Sequence, residues 1–189
     1  MLLRRWPAAG FTCLAIDAPG HGERADAGGA PRRSFFEYVR ARLQNAIDLR
    51  RGIDLLQAEG GAAADRIGYW GVSMGGTVGV MLLAAEGRVG AACLCLAGAR
   101  PRRSWPDADP GAVAFAASTL DPATLAAHSG DRPVLMLNGE RDETVAPEDA
   151  RRLFEGFGGP KELRWFNAGH HVTPAMLRAS KDFFDRVLS

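Results

Sequence analysis

Gly71-Val72-Ser73-Met74-Gly75-Gly76 is the stretch on which the reading of this chain turns. The apolar run before it, Ile67-Gly68-Tyr69-Trp70, reads as a buried strand. The run after it, Thr77-Val78-Gly79-Val80-Met81-Leu82-Leu83-Ala84-Ala85, reads as a helix packed closely on something flat. A serine between a strand and a helix, with glycine two residues to either side, marks a turn too sharp for ordinary side chains. Such a turn strains the serine backbone and lifts its hydroxyl above the sheet. Side chains at positions 71 and 75 are expected to collide with the neighbouring strand and helix, which accounts for glycine at both. The turn also aims the N–H of Met74, at the helix start, towards any oxyanion forming at Ser73.

Outward from that turn, strands and helices alternate. On the N-terminal side, residues 1–9 read as a short amphipathic helix ending near Gly10. Phe11-Thr12-Cys13-Leu14-Ala15-Ile16 reads as a strand leading into a polar turn, Asp17-Ala18-Pro19-Gly20-His21-Gly22-Glu23-Arg24, and then a loop to residue 33. Ser34-Phe35-Phe36-Glu37 is a capping box that opens a long helix ended by Gly60-Gly61. Val39, Leu43, Ala46, Ile47, Ile53 and Leu56 mark the expected buried face, and Gly52 inside it costs about 1 kcal/mol relative to alanine.

On the C-terminal side, residues 89–97 form a strand apolar on both faces. Residues 98–131, interrupted by Pro101, Pro106 and Pro110, read as an excursion over the sheet with one short helix near residues 121–128. Residues 133–137 are a strand running into Asn138-Gly139-Glu140-Arg141-Asp142-Glu143-Thr144-Val145. Pro147, followed by Glu148 and Asp149, starts a helix through Phe154. Residues 162–166 are the last strand, Asn167-Ala168-Gly169-His170-His171 a loop, and Thr173-Pro174 the start of the final helix. The class is therefore α/β: a mainly parallel sheet with helices on both faces, in a single domain over residues 1–189.

The chain has 189 residues, 47% apolar and 24% charged, with a net charge of +1. That balance offers no electrostatic case for nucleic acid or a membrane surface as partner. No apolar run reaches the length of a membrane span, and the first residues lack a signal-peptide core. Five arginine pairs, among them Arg50-Arg51 and Arg151-Arg152, are scattered and read as solvated faces. Cys13, Cys93 and Cys95 all fall in expected strands, with Cys93 and Cys95 on one face. They read as small buried hydrophobes of a reducing cytoplasm, and no residue group has metal-ligand spacing.

A serine hydroxyl becomes a useful nucleophile when a base takes its proton and a carboxylate orients that base. Ser73 ends one strand, Asp142 follows a later one, and His170 follows the last. Loops at the carboxyl ends of parallel strands gather on one sheet edge. Asp142 is flanked by Arg141 and Glu143, all three able to be merely solvated. His170, directly after Gly169, competes with His171 as the base. His21 is a loop residue or a lining residue, and His128 belongs to the surface or the excursion.

Together, Gly71 to Gly76, Asp17 to Arg24, Gly139 to Val145 and Gly169-His170-His171-Val172-Thr173-Pro174 resemble the α/β-hydrolase superfamily, and within it the small bacterial carboxylesterases near the dienelactone hydrolases. The resemblance implies a nucleophile Ser73, an acid Asp142, a base His170 and an oxyanion donor at Met74 N–H. It implies a small, uncharged ester as substrate, with no metal and no organic cofactor. Acyl transfer and thioester cleavage by the same residues, or an inactive hydrolase-like module, remain open. Residues 98–131 look like a short lid, in which Trp105 and Phe115 either shape an acyl pocket or simply pack. One departure stands out. The family normally begins with further strands, the third of which ends in a His-Gly oxyanion loop. Residues 11–16 match its fourth strand, so the front of the domain is expected to be missing. That would leave an empty slot in the sheet between residues 11–16 and the strand before Ser73.

Overall fold

Four short strands, three of them apolar runs, set the architecture. In the computed structural model, which describes residues 6–25, 34–99 and 108–188, they are β1 (Ile67–Val72), β2 (Val89–Cys95), β3 (Val134–Gly139) and β4 (Lys161–Phe166). All pair in parallel, in the order β1-β2-β3-β4. Parallel neighbours need crossovers, and helices supply them. α1 (Phe35–Gly60) precedes β1, and α2 (Met74–Ala85) joins β1 to β2. α3 (Pro110–Thr119) and α4 (Pro122–Ala126) lie between β2 and β3, α5 (Pro147–Gly156) between β3 and β4, and α6 (Pro174–Val187) follows β4. One core layer joins the sheet to α1, α2, α4 and α5 through Ile53, Leu82, Leu83, Ala126 and Leu153. The other joins it to α6 through Met176, Phe183 and Phe184. β3 is buried along its whole length and β2 along nearly all of it, as strands covered on both faces must be.

The ends of the helices follow the sequence closely. Ser34 Oγ accepts from Glu37 N–H while the Glu37 carboxylate accepts from Ser34 N–H, which is the capping box in full, and Gly61 closes α1 at φ 60°. Thr173 Oγ1 accepts from Met176 N–H at 3.2 Å, at the start of α6. Among the described residues no helix is long and apolar enough to cross a membrane.

Three expectations are corrected. Residues 11–16 form no strand, so the slot expected beside β1 does not arise in that form. The Leu14 and Ile16 side chains instead lie against α1, 2.8 and 3.0 Å from where a Cβ on Gly52 would stand. A strand needs a partner for its N–H and C=O groups, whereas apolar side chains can be covered by a helix alone. Cys13 is consequently exposed, while Cys93 and Cys95 are buried on one face as expected. Ahead of this segment, Trp6 and Phe11 pack with Trp70 and Phe184. Of the short helix expected over residues 1–9, a single 3-10 turn over Pro7–Ala9 is seen, closed by Gly10 at φ 90°, and residues 1–5 lie outside the described residues.

Two residues of the expected buried face of α1 lie outside it, while Ala46 and Ile53 of that face are buried as expected. Leu43 and Ile47 are 40% and 45% exposed, while Phe35, Asn45, Ala46, Gly52 and Ile53 are buried. Small residues set its contacts: Gly52 admits Leu14 and Ile16, and Ala46 packs with Val78 and Met81 of α2.

The excursion after β2 holds two helices where one was expected. Arg152 of α5 fastens it down. Its Nη1 donates to Ala99 O at 3.0 Å, and it grips both carboxylate oxygens of Asp121, at 3.0 and 2.9 Å. Asp121 Oδ2 also caps α4 by accepting from Thr124 N–H at 3.0 Å. Asp121→Ala therefore removes a cap and a charge-assisted pair together, and is expected to lower folding stability by about 2 kcal/mol or more in urea unfolding. Asp121→Asn, which keeps a capping oxygen, is expected to lose less. A loss under about 0.5 kcal/mol in Asp121→Ala would contradict the clamp.

Candidate active site

Ser73 stands between β1 and α2 with φ 53° and ψ −108°, a backbone conformation that residues other than glycine rarely adopt. Its N–H donates to Cys95 O at 2.8 Å, and its C=O accepts from Thr77 N–H at 3.1 Å. A Cβ on Gly71 would lie 2.6 Å from Gly75 O, so the first glycine is required by space. The second is not. The nearest atom to a Cβ on Gly75 is the Tyr69 hydroxyl at 3.8 Å. The tight approaches fall instead on Gly76, where a Cβ would lie 2.6 Å from Ala97 Cβ, and on Gly79, 2.2 Å from the Tyr69 ring.

Tyr69 is the support that sequence reading missed. Its hydroxyl donates to Gly75 O at 2.6 Å, bracing the first turn of α2 from below. Burial pushes its pKa up, so the phenol stays a donor. The available signal was the spacing of Gly71 and Gly79, which opens room for one large ring on β1. The N–H of Met74 belongs to the first turn of α2, where N–H groups have no intrahelical acceptor and the helix dipole is positive.

The loops after β3 and β4 are laced together by backbone. Glu140 N–H donates to Phe166 O at 2.8 Å and Arg141 N–H to Ala168 O at 3.0 Å. A Cβ on Gly139 would lie 2.4 Å from Ala168 O, so glycine is needed where these loops touch. Within this frame Asp142 Oδ1 accepts from Thr144 N–H at 2.8 Å and Val145 N–H at 2.9 Å. Its Oδ2 faces His170 Nδ1 at 2.8 Å, and His170 Nε2 faces Ser73 Oγ at 2.7 Å. The Asp142 side chain is fully buried, while that of His170 is 27% exposed. Burial alone would raise the Asp142 pKa, but the Val145 N–H, the His170 ring and the Thr144 N–H outweigh it and hold the carboxyl below its ordinary value. An ionised Asp142 draws the imidazole proton to Nδ1 and leaves Nε2 free to accept from the serine hydroxyl.

The three residues singled out from sequence thus meet in one hydrogen-bonded line. The other histidines do not join it. His171 is exposed beside His170, its N–H turned back to Gly169 O at 2.9 Å. His21 is exposed in the 17–24 turn, its Nδ1 3.3 Å from Pro19 O, and His128 is exposed after α4. Arg141 and Glu143 are exposed on either side of buried Asp142. Phe115 is 69% exposed on α3, and Trp105 lies outside the described residues. Among the described residues no group of three or more His, Cys, Asp or Glu could hold a metal ion.

Comparison with known proteins gives consistent relatives. Residues 103–186 match the model of the TAP-like protein family, an α/β-hydrolase domain. TT1662 from Thermus thermophilus superposes with a TM-score of 0.80 at 28% identity, over 100% of this chain and 82% of that one. A cold-adapted esterase from an Arctic intertidal metagenomic library gives 0.67 at 26% identity, over 92% of this chain and 68% of that one. Acetyl xylan esterase from Paenibacillus sp. R4 gives 0.81 at 22% identity, over 98% and 69%, a likeness of fold. The chain spans from 63% to 69% of the length of these esterases. No curated protein sequence matches it.

The Asp142 anchorage has a consequence for stability. A carboxyl whose pKa is lowered on folding contributes stability that is present above its unfolded value, near 3.9, and is lost as pH falls through the folded value. The parent protein is therefore expected to lose stability more steeply below about pH 4 than Asp142→Asn, measured by urea unfolding from pH 6 downwards. Identical acid slopes would contradict the anchorage.

Proposed function

We propose that this chain, which resembles the α/β-hydrolase superfamily in its fold and over residues 103–186, is a serine hydrolase that cleaves small carboxylic esters through an acyl-enzyme intermediate. The observation that carries the reading is the unbroken line from Ser73 Oγ through His170 to Asp142, with contacts of 2.7 and 2.8 Å. The likeness to a cold-adapted esterase favours the same substrate class.

Each group has a role its surroundings support. His170 Nε2 takes the proton from Ser73 Oγ as the oxygen attacks the ester carbonyl. Asp142, held by two backbone N–H groups, keeps the imidazole in the required tautomer and stabilises its charged form. The oxyanion develops at the N-terminus of α2, where Met74 N–H is a donor at the positive end of the helix dipole. His170 returns the proton to the departing alcohol. It then activates water to release the acid and restore Ser73. The buried thiols take no part: Cys93 and Cys95 are buried, and burial pushes the Cys93 pKa well up, away from a reactive thiolate. Two buried free thiols also suit a reducing compartment such as the cytoplasm.

Ser73→Ala is expected to lower turnover of a 4-nitrophenyl ester at least about 10³-fold with an unchanged thermal unfolding midpoint. Turnover within tenfold of the parent would overturn the assignment. His170→Ala is expected to fall comparably, whereas His171→Ala changes kcat only modestly. The reverse pattern would transfer the base to His171.

A further inference from the structure

The corrected face of α1 places one charged side chain where the helix meets its neighbours. Phe35, Tyr38, Arg42, Ala46, Leu49 and Ile53 follow one another at helical spacing, and Phe35, Ala46 and Ile53 of this stripe are buried. Arg42 thus occupies a position that an aliphatic residue would ordinarily fill. Its Nε and Nη1 are buried and without a hydrogen-bond partner. Its guanidinium lies over the Tyr38 ring, 4.1 Å from the centroid. A ring face steadies the planar cation but offers no acceptor for its N–H groups. The contrast with other arginines is clear: Arg24, Arg50, Arg88, Arg152 and Arg164 each meet a carboxylate. Arg42 as a whole is half-buried, but buried donors without acceptors, such as its Nε and Nη1, are rare in folded proteins.

Arg42 is also in a definite place relative to Ser73. Ala46 packs with Val78 and Met81, Arg50 meets Glu86 at 3.3 Å, and Asp54 meets Arg88 at 2.6 Å. The numbers rise together, so α1 and α2 run parallel, side by side. One turn before Ala46, Arg42 is level with the first turn of α2, which begins at Met74 beside Ser73. Leu120 and Leu125, from the excursion over the sheet, pack on the same Ala46–Val78–Met81 cluster. The unsatisfied guanidinium therefore stands at the nucleophile's edge of the sheet, next to the helices of the excursion.

We infer that Arg42 binds a carboxylate carried on the acyl part of the ester, so that the preferred substrates are half-esters of short dicarboxylic acids. This deepens the proposed esterase reading and rests on it. It replaces the uncharged ester expected from the sequence with an anionic one. A carboxylate supplies oxygen acceptors to the idle N–H groups and a balancing charge to the guanidinium, in the pairing arginine makes best. Tyr38 holds the cation ready before the substrate arrives.

The test compares mono-4-nitrophenyl glutarate with 4-nitrophenyl valerate, which share chain length and leaving group and differ in the terminal carboxylate. The parent is expected to favour the glutarate at least about tenfold in kcat/KM, chiefly through KM, with the ratio near 1 in Arg42→Gln and intermediate in Arg42→Lys. A parent ratio of 1 or below, or a ratio unchanged in Arg42→Gln, would overturn the inference. Calorimetric binding of monoethyl and diethyl glutarate to Ser73→Ala keeps the two readings apart. A preference for the monoester that Arg42→Gln abolishes supports the Arg42 site even if neither nitrophenyl ester is cleaved, the outcome that would sink the esterase reading. Equal binding of the two ethyl esters overturns the site itself. Arg42→Met separates a packing role from a binding role: an unchanged or raised Tm is expected where an unpaired buried cation is replaced. A lowered Tm, with equal loss on both nitrophenyl esters, would overturn the inference.

Discussion

The rest of the molecule depends on the left-handed backbone of Ser73. A serine in that conformation carries strain of roughly 1–3 kcal/mol and persists only if its surroundings over-determine it. Here they do. The Cys95 carbonyl holds its N–H, Thr77 closes the first helical turn on its C=O, and Gly71 and Gly76 let backbone and neighbouring side chains approach where a methyl group would intrude. Tyr69 braces Gly75 from the sheet side. These contacts tie β1, α2 and the end of β2 into one rigid corner.

That corner fixes where the other two groups must come from. In a parallel sheet the loops after β3 and β4 emerge on the same edge as the Ser73 turn. Backbone bonds between the loops set their spacing before any side chain is considered. Asp142 is then oriented by two N–H groups of its own turn, and His170 by Asp142. The line of three is organised in the absence of a substrate, which is the condition for electrostatic stabilisation without reorganisation during the reaction.

Much of this was legible in the sequence, for physical reasons. The glycine pattern around Ser73, the Ser34 capping box, the Thr173-Pro174 start and the doubly apolar residues 89–97 are local signals, and the structure follows them. Ser73, Asp142 and His170 could be picked out because each sits just after a strand. What failed depended on partners that a local pattern does not name. Residues 11–16 have a strand-like composition, yet they lie on Gly52 of α1. Leu43 and Ile47 fit the helical period, yet α1 packs through Phe35, Ala46, Gly52 and Ile53 and leaves those two exposed. Arg42, which the expected face did not include, has two guanidinium nitrogens buried without a partner. Tyr69 escaped notice because its role is set by the space above it, which only the packing of α2 defines.

The most direct test of the central claim is intact-protein and peptide mass spectrometry after treatment with a fluorophosphonate, which reacts with an activated serine and mimics the acylated enzyme. One adduct per chain is expected, located on Ser73 and absent when His170 is replaced by alanine. No adduct, or an adduct on another residue, would contradict it.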